Sequence, residues 1–373
     1  MRAVLREITV KINVLRNGAV RGILRAIGTP SVRMEENAEV RTTLRGSFER
    51  EVRTKAGGYT EFNQMLDELQ PVLTVNGEPG SLGRFLPVTA EENGGLLEIE
   101  GFDRCWRIQR TVSGSRVFFP AGMMYLEAVE QLLTAAGITN MRVTVNTAVL
   151  TEDREEWDLG TDNLTIINKL LGEINYQSLW FDATGAAVIE PKRTPSAANI
   201  RHVLDSDKPE TLLLRGIRRK KDLYGTPNVI IAVCDNPDKS ETMTARAVNN
   251  NPASPLSVQR CGREIVQVEH VDNIAGQEEL QAWANRRIFE TMTTGETIYV
   301  STGIQAGWGV GDVVGLHYKP DALTPDQQAD GSISLLRPGE EINCLCVSRA
   351  WEMDLEPGAY MSHTLEKVVY VLG

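Results

Sequence analysis

The sequence predicts a mainly β protein with an α+β insert, and three observations carry that expectation. Short alternating runs bounded by Gly-containing turns recur at roughly 8–12-residue intervals over the first hundred positions, the pattern of a barrel or sandwich. Two amphipathic helical segments follow, within residues 120–195. Strand signals then return to the end of the chain, broken by one further helix. With 373 residues, 42% hydrophobic and 24% charged, the chain is long enough for two to three packed domains.

The first strands form a hairpin. Ile8, Val10, Ile12 and Val14 share one face of an alternating run, and Asn17-Gly18 supplies a two-residue turn before a second run over 20–27. Another alternating run covers 38–48. The glycine pair within 54–59 then predicts a mobile loop. Strands are expected at 71–75, 82–89 and 96–101, with turns at Asn76-Gly77 and Asn93-Gly94.

The period changes after Phe119-Pro120-Ala121-Gly122. Leu126, Val129, Leu132, Leu133 and Ala136 recur at helical spacing, and Gly137 stands where a C-terminal cap belongs. A second helix begins at Thr161 or Asp162, both good N-cap types, and aligns Leu164, Ile167, Leu170, Leu171 and Ile174. Residues 179–189 read as a hairpin closed through 182–185. A Pro/Thr/Ser-rich linker spans 191–198.

Beyond the linker, strands are expected at 211–217, 228–234, 244–248 and 265–271. A third helix covers 277–291, with Leu280, Trp283, Ala284, Ile288 and Thr291 facing inward. Strands at 297–302, 312–318, 333–336, 341–351 and 364–372 complete the chain, with His363 in a polar connection before the last one.

Composition excludes several classes of function. No window approaches the 18 or so apolar residues of a membrane span, and the start of the chain interleaves arginines instead of showing a signal-peptide core. Cys105, Cys234, Cys261, Cys344 and Cys346 form an odd, sparse set without a CxxC pair, as expected of free, mostly buried thiols in a reducing compartment. His202, His270, His317 and His363 are scattered, so no metal site is expected. The net charge is -11, although residues 1–55 hold 12 Lys/Arg against 6 Asp/Glu and are net +6. Such a balance is a poor match for tight nucleic-acid binding, which needs a concentrated basic face.

Candidate chemistry is thin. The adjacent carboxylates Glu91-Glu92, Glu152-Asp153 and Glu155-Glu156 read as solvated loop or helix ends, because adjacency in sequence does not set an acid and a base across one bond. The glycines of Trp308-Gly309-Val310-Gly311 lead into a strand, not into the helix N-terminus a pyrophosphate needs. Cys344 and Cys346 point to one strand face and read as small core residues, since tetrahedral zinc would need two more donors. Arg218, Arg219, Lys220 and Lys221 form the one concentrated basic run. It is either a solvated hairpin end or a contact with an acidic protein neighbour, and it lacks the interleaved aromatics that a nucleic acid stacks on.

A resemblance adds to this reading. The run Trp157-Asp158-Leu159-Gly160-Thr161-Asp162-Asn163-Leu164, then Ile166-Ile167-Asn168-Lys169-Leu170-Leu171, Ile174-Asn175-Tyr176, Leu179-Trp180-Phe181-Asp182 and Gly185, resembles the helix-plus-hairpin segment of bacteriophage tail hub proteins. These are the baseplate hub, or tail-associated, proteins of long-tailed phages and related contractile injection particles. Leu223-Tyr224-Gly225-Thr226-Pro227-Asn228-Val229, the helix start Gln277-Glu278-Glu279-Leu280-Gln281-Ala282 and the closing Pro357-Gly358-Ala359-Tyr360-Met361-Ser362-His363-Thr364 are similar to the same family. The likeness is spread over residues 100–370.

The resemblance implies a trimeric ring in which each subunit contributes two β-barrel hub domains, a small α+β domain and one further helix. The first barrel would occupy 1–119 and the α+β domain 120–195, with helices near 124–136 and 162–175. A second β-rich region at 196–275, a helix-containing segment at 276–306 and strands at 307–373 would complete a discontinuous second barrel. Three copies of two barrels present a pseudo-sixfold surface that adapts a sixfold tail tube to a threefold tip. The implied partners are the chain itself, the tail tube or distal tail protein, the tape measure protein and tip spike or fibre proteins, with DNA passing unbound. The implied place is the virion tail tip, after assembly in the host bacterial cytoplasm, with no cofactor, no membrane anchor and no catalytic residue. Many such proteins carry an appended peptidoglycan hydrolase; this sequence stops nine residues after Thr364, so none is expected. Two other readings compete: a hydrolase using Glu91, Glu152 or Glu155, and a carbohydrate-binding tip module. The latter has only 6 Trp, 8 Tyr and 8 Phe from which to build a stacking platform.

Overall fold

Asn17 and Gly18 both adopt positive φ (52° and 79°), the geometry of a two-residue hairpin turn that follows the right-handed twist of its strands. They join β1 (Ile8–Arg16) to β2 (Ala19–Glu35), as their residue types predict. The computed structural model describes residues 7–368, apart from 175, 193–194, 222–223, 235–241, 253, 272–276, 294–295 and 320–340. The protein is mostly β, with several sheets and a minority of helix. It divides into two units: Met1–Thr194 with Ile304–Gly309 and Trp351–Met361, and Pro195–Gly303 with Val310–Ala350 and Ser362–Gly373.

In the first unit, β3 (Thr42–Thr54), β4 (Tyr59–Glu61), β5 (Asp67–Val75), β6 (Glu78–Ser81), β7 (Leu86–Asn93) and β8 (Leu96–Phe102) join the hairpin. The antiparallel order is β7-β8-β3-β2-β1-β5-β6, with β4 also on β3. Phe85, just before β7, exchanges two 2.8 Å backbone hydrogen bonds with Leu69 of β5, so the sheet curls until β7 lies beside β5. Alternation sends Ile12, Leu24, Leu44, Phe48, Leu73 and Phe85 inward, each 0–1% exposed. Each such side chain contributes about 1.5–3 kcal/mol by leaving water.

The α+β part follows with α1 (Cys105–Gln109), α2 (Tyr125–Ala135), β9 (Met141–Val143), α3 (Asn163–Glu173), β10 (Trp180–Phe181) and β11 (Ala187–Ile189). Both expected long helices are present. Gly137 closes α2 at φ 76°, and Asp162 caps α3 by accepting from the Thr165 N–H at 3.0 Å. The stripes of α2 and α3 pack into one core with Ile138, Leu150, Trp157 and the small sheet β10-β11-β9.

The second unit holds β12 (Ile200–Asp205), β13 (Arg218–Lys221), β14 (Val229–Cys234), β15 (Met243–Val248), α4 (Val258–Cys261), β16 (Val266–His270), α5 (Gln277–Thr293), β17 (Glu296–Gly303), β18 (Val313–Tyr318) and most of β19 (Ile342–Asp354) and β20 (Tyr360–Lys367). Leu280, Ala284 and Ile288 of α5 cover Ile230, Ala232, Ala245 and Ala247 of the sheet β15-β14-β16. The other sheet runs β12-β18-β19-β20-β17-β13.

Several expectations need correction. Residues 211–217 are not a continuous strand: Pro209–Thr211 forms a 3-10 turn and Leu212 takes φ 57°, which breaks the extended run, so pairing with β17 is an isolated bridge at Leu213 and Thr302 and becomes a ladder only from Arg218. The 54–59 loop is a hairpin turn, closed by the Thr54 N–H donating to the Gly58 carbonyl at 2.8 Å. His363 lies inside β20 and is 2% exposed, not in a connection before it. Helices α1 and α4 and strands β4, β6, β9 and β12 were absent from the sequence expectation; all but β12 are too short to show a period. The strand expected at 333–336 and the last residues of that at 364–372 lie outside the described residues.

Candidate functional site

The basic run Arg218, Arg219, Lys220 and Lys221 is β13, an edge of the six-stranded sheet of the second unit. Its antiparallel register sets Arg218 opposite Tyr299, Arg219 opposite Ile298, Lys220 opposite Thr297 and Lys221 opposite Glu296. Alternation then puts Arg219 and Lys221 on one face, and Arg218 and Lys220 on the other. The Arg218 guanidinium lies 3.9 Å from the Tyr299 ring centre, a cation–π contact. Arg219 Nε donates to Glu296 Oε1, and Lys367 Nζ of β20 lies 3.4 Å from Glu296 Oε2. Burial opposes ionisation of Glu296. The Arg219 hydrogen bond and the charges of Lys367, Arg219 and Lys221 outweigh it and hold the carboxyl below the usual range.

The same face continues to β19. Cys344 Sγ and Cys346 Sγ lie 3.6 Å apart, with Cys344 half-buried and Cys346 fully buried. Their shared hydrogen bond pushes Cys344 down, assisted by Lys367 and opposed by burial, while Cys346 is pushed up by that bond and by burial. A thiol, an ammonium, a carboxylate and a guanidinium therefore line up across β19, β20, β17 and β13. Sequence reasoning found the cations and the cysteine pair but missed Glu296, Tyr299 and Lys367, whose roles depend on pairings about 70 residues distant.

An edge strand exposes a row of unpaired backbone groups, and clustered charge on it keeps a second copy of the same edge from adding to the sheet. That property is structural. It also makes the edge receptive to an acidic segment.

The histidines have local partners. His202 Nε2 lies 3.1 Å from Asp312 Oδ2, and Arg201 Nη1 lies 2.8 Å from Asp312 Oδ1. His363 Nε2 lies 2.9 Å from Thr302 Oγ1, and burial, with a smaller push from nearby His202, lowers its pKa to about 3. His317 bridges Glu341 (2.7 Å from Nε2) and Asp205 (2.9 Å from Nδ1), and these two carboxylates raise its pKa. Asp205, Asp207 and His317 bring three donor atoms within 4.8 Å of one another, a grouping the sequence did not suggest. Lys319 at 2.5 Å from Asp207 and Lys208 at 3.5 Å from Asp205 already supply cations there.

The carboxylates that a hydrolase reading needs are placed otherwise. Glu91 is exposed opposite Glu98, and Glu92 lies 3.5 Å from Arg50. Asp153 accepts from the Ala121 N–H at 2.7 Å, and Glu156 is bound by Arg154, which also holds Glu173 at 2.7 Å. Glu152 and Glu155 are exposed. A cleft of about 190 Å³ in the first unit is lined by Asp67 and Glu68, but Asp67 is held by Arg16 and Arg21, and Glu68 by Arg104. No helix among the described residues is long and apolar enough to cross a membrane.

No family model matches the sequence, and no curated protein does. Solved structures do match in fold. A tail protein from Neisseria meningitidis MC58 aligns over 96% of each chain at 12% identity, with a TM-score of 0.63. The 43 kDa tail protein of prophage MuSo2 from Shewanella oneidensis aligns over 96% of this chain and 98% of its own at 10% identity, TM-score 0.59. The prophage tail protein gp18 from Listeria monocytogenes EGD-e aligns over 95% and 94% at 12% identity, TM-score 0.51. The chain therefore has the fold of solved tail proteins, two of them from prophages.

Proposed function

We propose that the protein is a structural tail hub of a phage or phage-like particle: a homotrimer that adapts the sixfold tube to a threefold tip, forms the distal DNA channel and anchors tip proteins. The observation that carries this reading is the likeness of fold to a tail protein over 96% of both chains, through both β-rich regions and the α+β insert. In this reading residues 1–119 and the discontinuous 196–275 and 307–373 are the two barrel domains flanking 120–195. Their repetition supplies the pseudo-sixfold ring. The surplus of negative charge repels phosphate and suits a wall that DNA slides past. The basic edge Arg218, Arg219, Lys220 and Lys221 is the contact to an acidic subunit or tip protein. The tube protein, the tape measure protein and the spike or fibre proteins are the remaining partners at the virion tail tip, after assembly in the bacterial cytoplasm.

Native mass at micromolar concentration tests the reading. A species of three chains supports it. A persistent monomer that clears peptidoglycan in a zymogram, and stops doing so when Glu91, Glu152 or Glu155 is replaced, contradicts it in favour of a hydrolase.

A further inference from the structure

We infer that Cys344 and Cys346 form a binding site for one soft, two-coordinate cation, Cu(I). Both thiols stand on one face of β19, with their sulfur atoms 3.6 Å apart. Two residues of extended strand separate the Cα atoms by about 6.6–6.8 Å, the upper limit for a disulfide. The strand thus resists closing an S–S bond while keeping the two thiols side by side.

The donor set decides which ion fits. Thiolate sulfur is soft and selects Cu(I) over hard divalent cations. Zinc needs four donors. The described residues bring no third histidine, cysteine or carboxylate donor into a cluster with this pair. A two-coordinate ion requires none, and half-buried Cys344 leaves it a way in.

Binding replaces two S–H bonds with two S–Cu bonds, releases two protons to solvent and leaves one net negative charge on the centre. Lys367 on the adjacent β20 acts electrostatically on Cys344 and offsets that charge, against a smaller opposing push from Glu296 that Arg219 partly cancels. No oxidant is consumed. The site stands independently of the tail-hub reading.

The test is an anaerobic titration of the full, reduced chain into the coloured Cu(I)–bicinchoninate complex. The chain is expected to withdraw one Cu(I). Cys344→Ser and Cys346→Ser each abolish the uptake, and Cys261→Ser keeps it. Thermal melting of each variant separates loss of the site from loss of the fold; Cys344→Ser decides the matter, because its half-buried position tolerates an isosteric hydroxyl. An unchanged indicator with the natural chain, or full uptake by folded Cys344→Ser, overturns the inference.

Discussion

Glu296 of β17 accepts a hydrogen bond from Arg219 of the edge strand β13 and lies 3.4 Å from Lys367 of β20 on its other side. One nearly buried carboxylate thus ties the last strand of the sheet to its two inner neighbours. Removing its charge leaves Arg219, Lys221 and Lys367 facing one another. Glu296→Gln should cost about 2 kcal/mol, the difference made by losing the negative charge from hydrogen bonds to charged donors, read as a lower urea midpoint at unchanged slope.

The outward face of β13 gives a prediction about assembly. Arg218→Glu with Lys220→Glu leaves Arg219 and Glu296 in place but reverses the charge on the opposite face. The double variant should remain folded, losing about 1 kcal/mol with the Arg218–Tyr299 contact, and should lose subunit or tip association in sedimentation. Unchanged association would make the basic run an edge guard and nothing more.

His363 predicts acid sensitivity. Its folded pKa of about 3 lies below the ordinary value of 6.5, so the unfolded chain binds the extra proton between those limits. The stability contribution is complete above pH 6.5 and falls by about 1.4 kcal/mol per pH unit as pH drops towards 3. His363→Gln should flatten the slope of unfolding free energy between pH 6 and 4, measured by denaturant titration.

His317 has the opposite sign. Its folded pKa is raised, so its contribution is present below the ordinary value of 6.5 and is lost as pH climbs through the raised one. His317→Gln should remove a loss of stability on alkalinisation from pH 6 that the natural chain shows. The ring protons of His317, followed by NMR, should titrate above the ordinary value of 6.5.

The Asp162 cap is a local test of the α+β insert. Asp162→Ala removes the acceptor for the Thr165 N–H and should lower stability by about 1 kcal/mol, whereas Asp162→Ser should restore most of it.

What was legible in the sequence was what short-range physics determines. Asn17-Gly18 demanded a hairpin turn, Gly137 and Asp162 marked helix ends, and the Leu164–Leu171 stripe could only face a core. Leu212 was misread because Leu212, Leu213 and Leu214 look extended, and nothing local shows that Leu212 turns left-handed. Strand β12 was missed for another reason. Its partner β18 is parallel and about 110 residues away, with Leu204 opposite Leu316. The basic run was legible as a cluster, but its acceptor Glu296 was one acidic residue among 50 until the strand register chose it.

The proposed role as a structural part of a tail is open to electron imaging of purified tail particles carrying a density tag on the chain. Three tags around the axis at the distal end of the tube are expected. Tails that assemble fully without any tag would overturn that role.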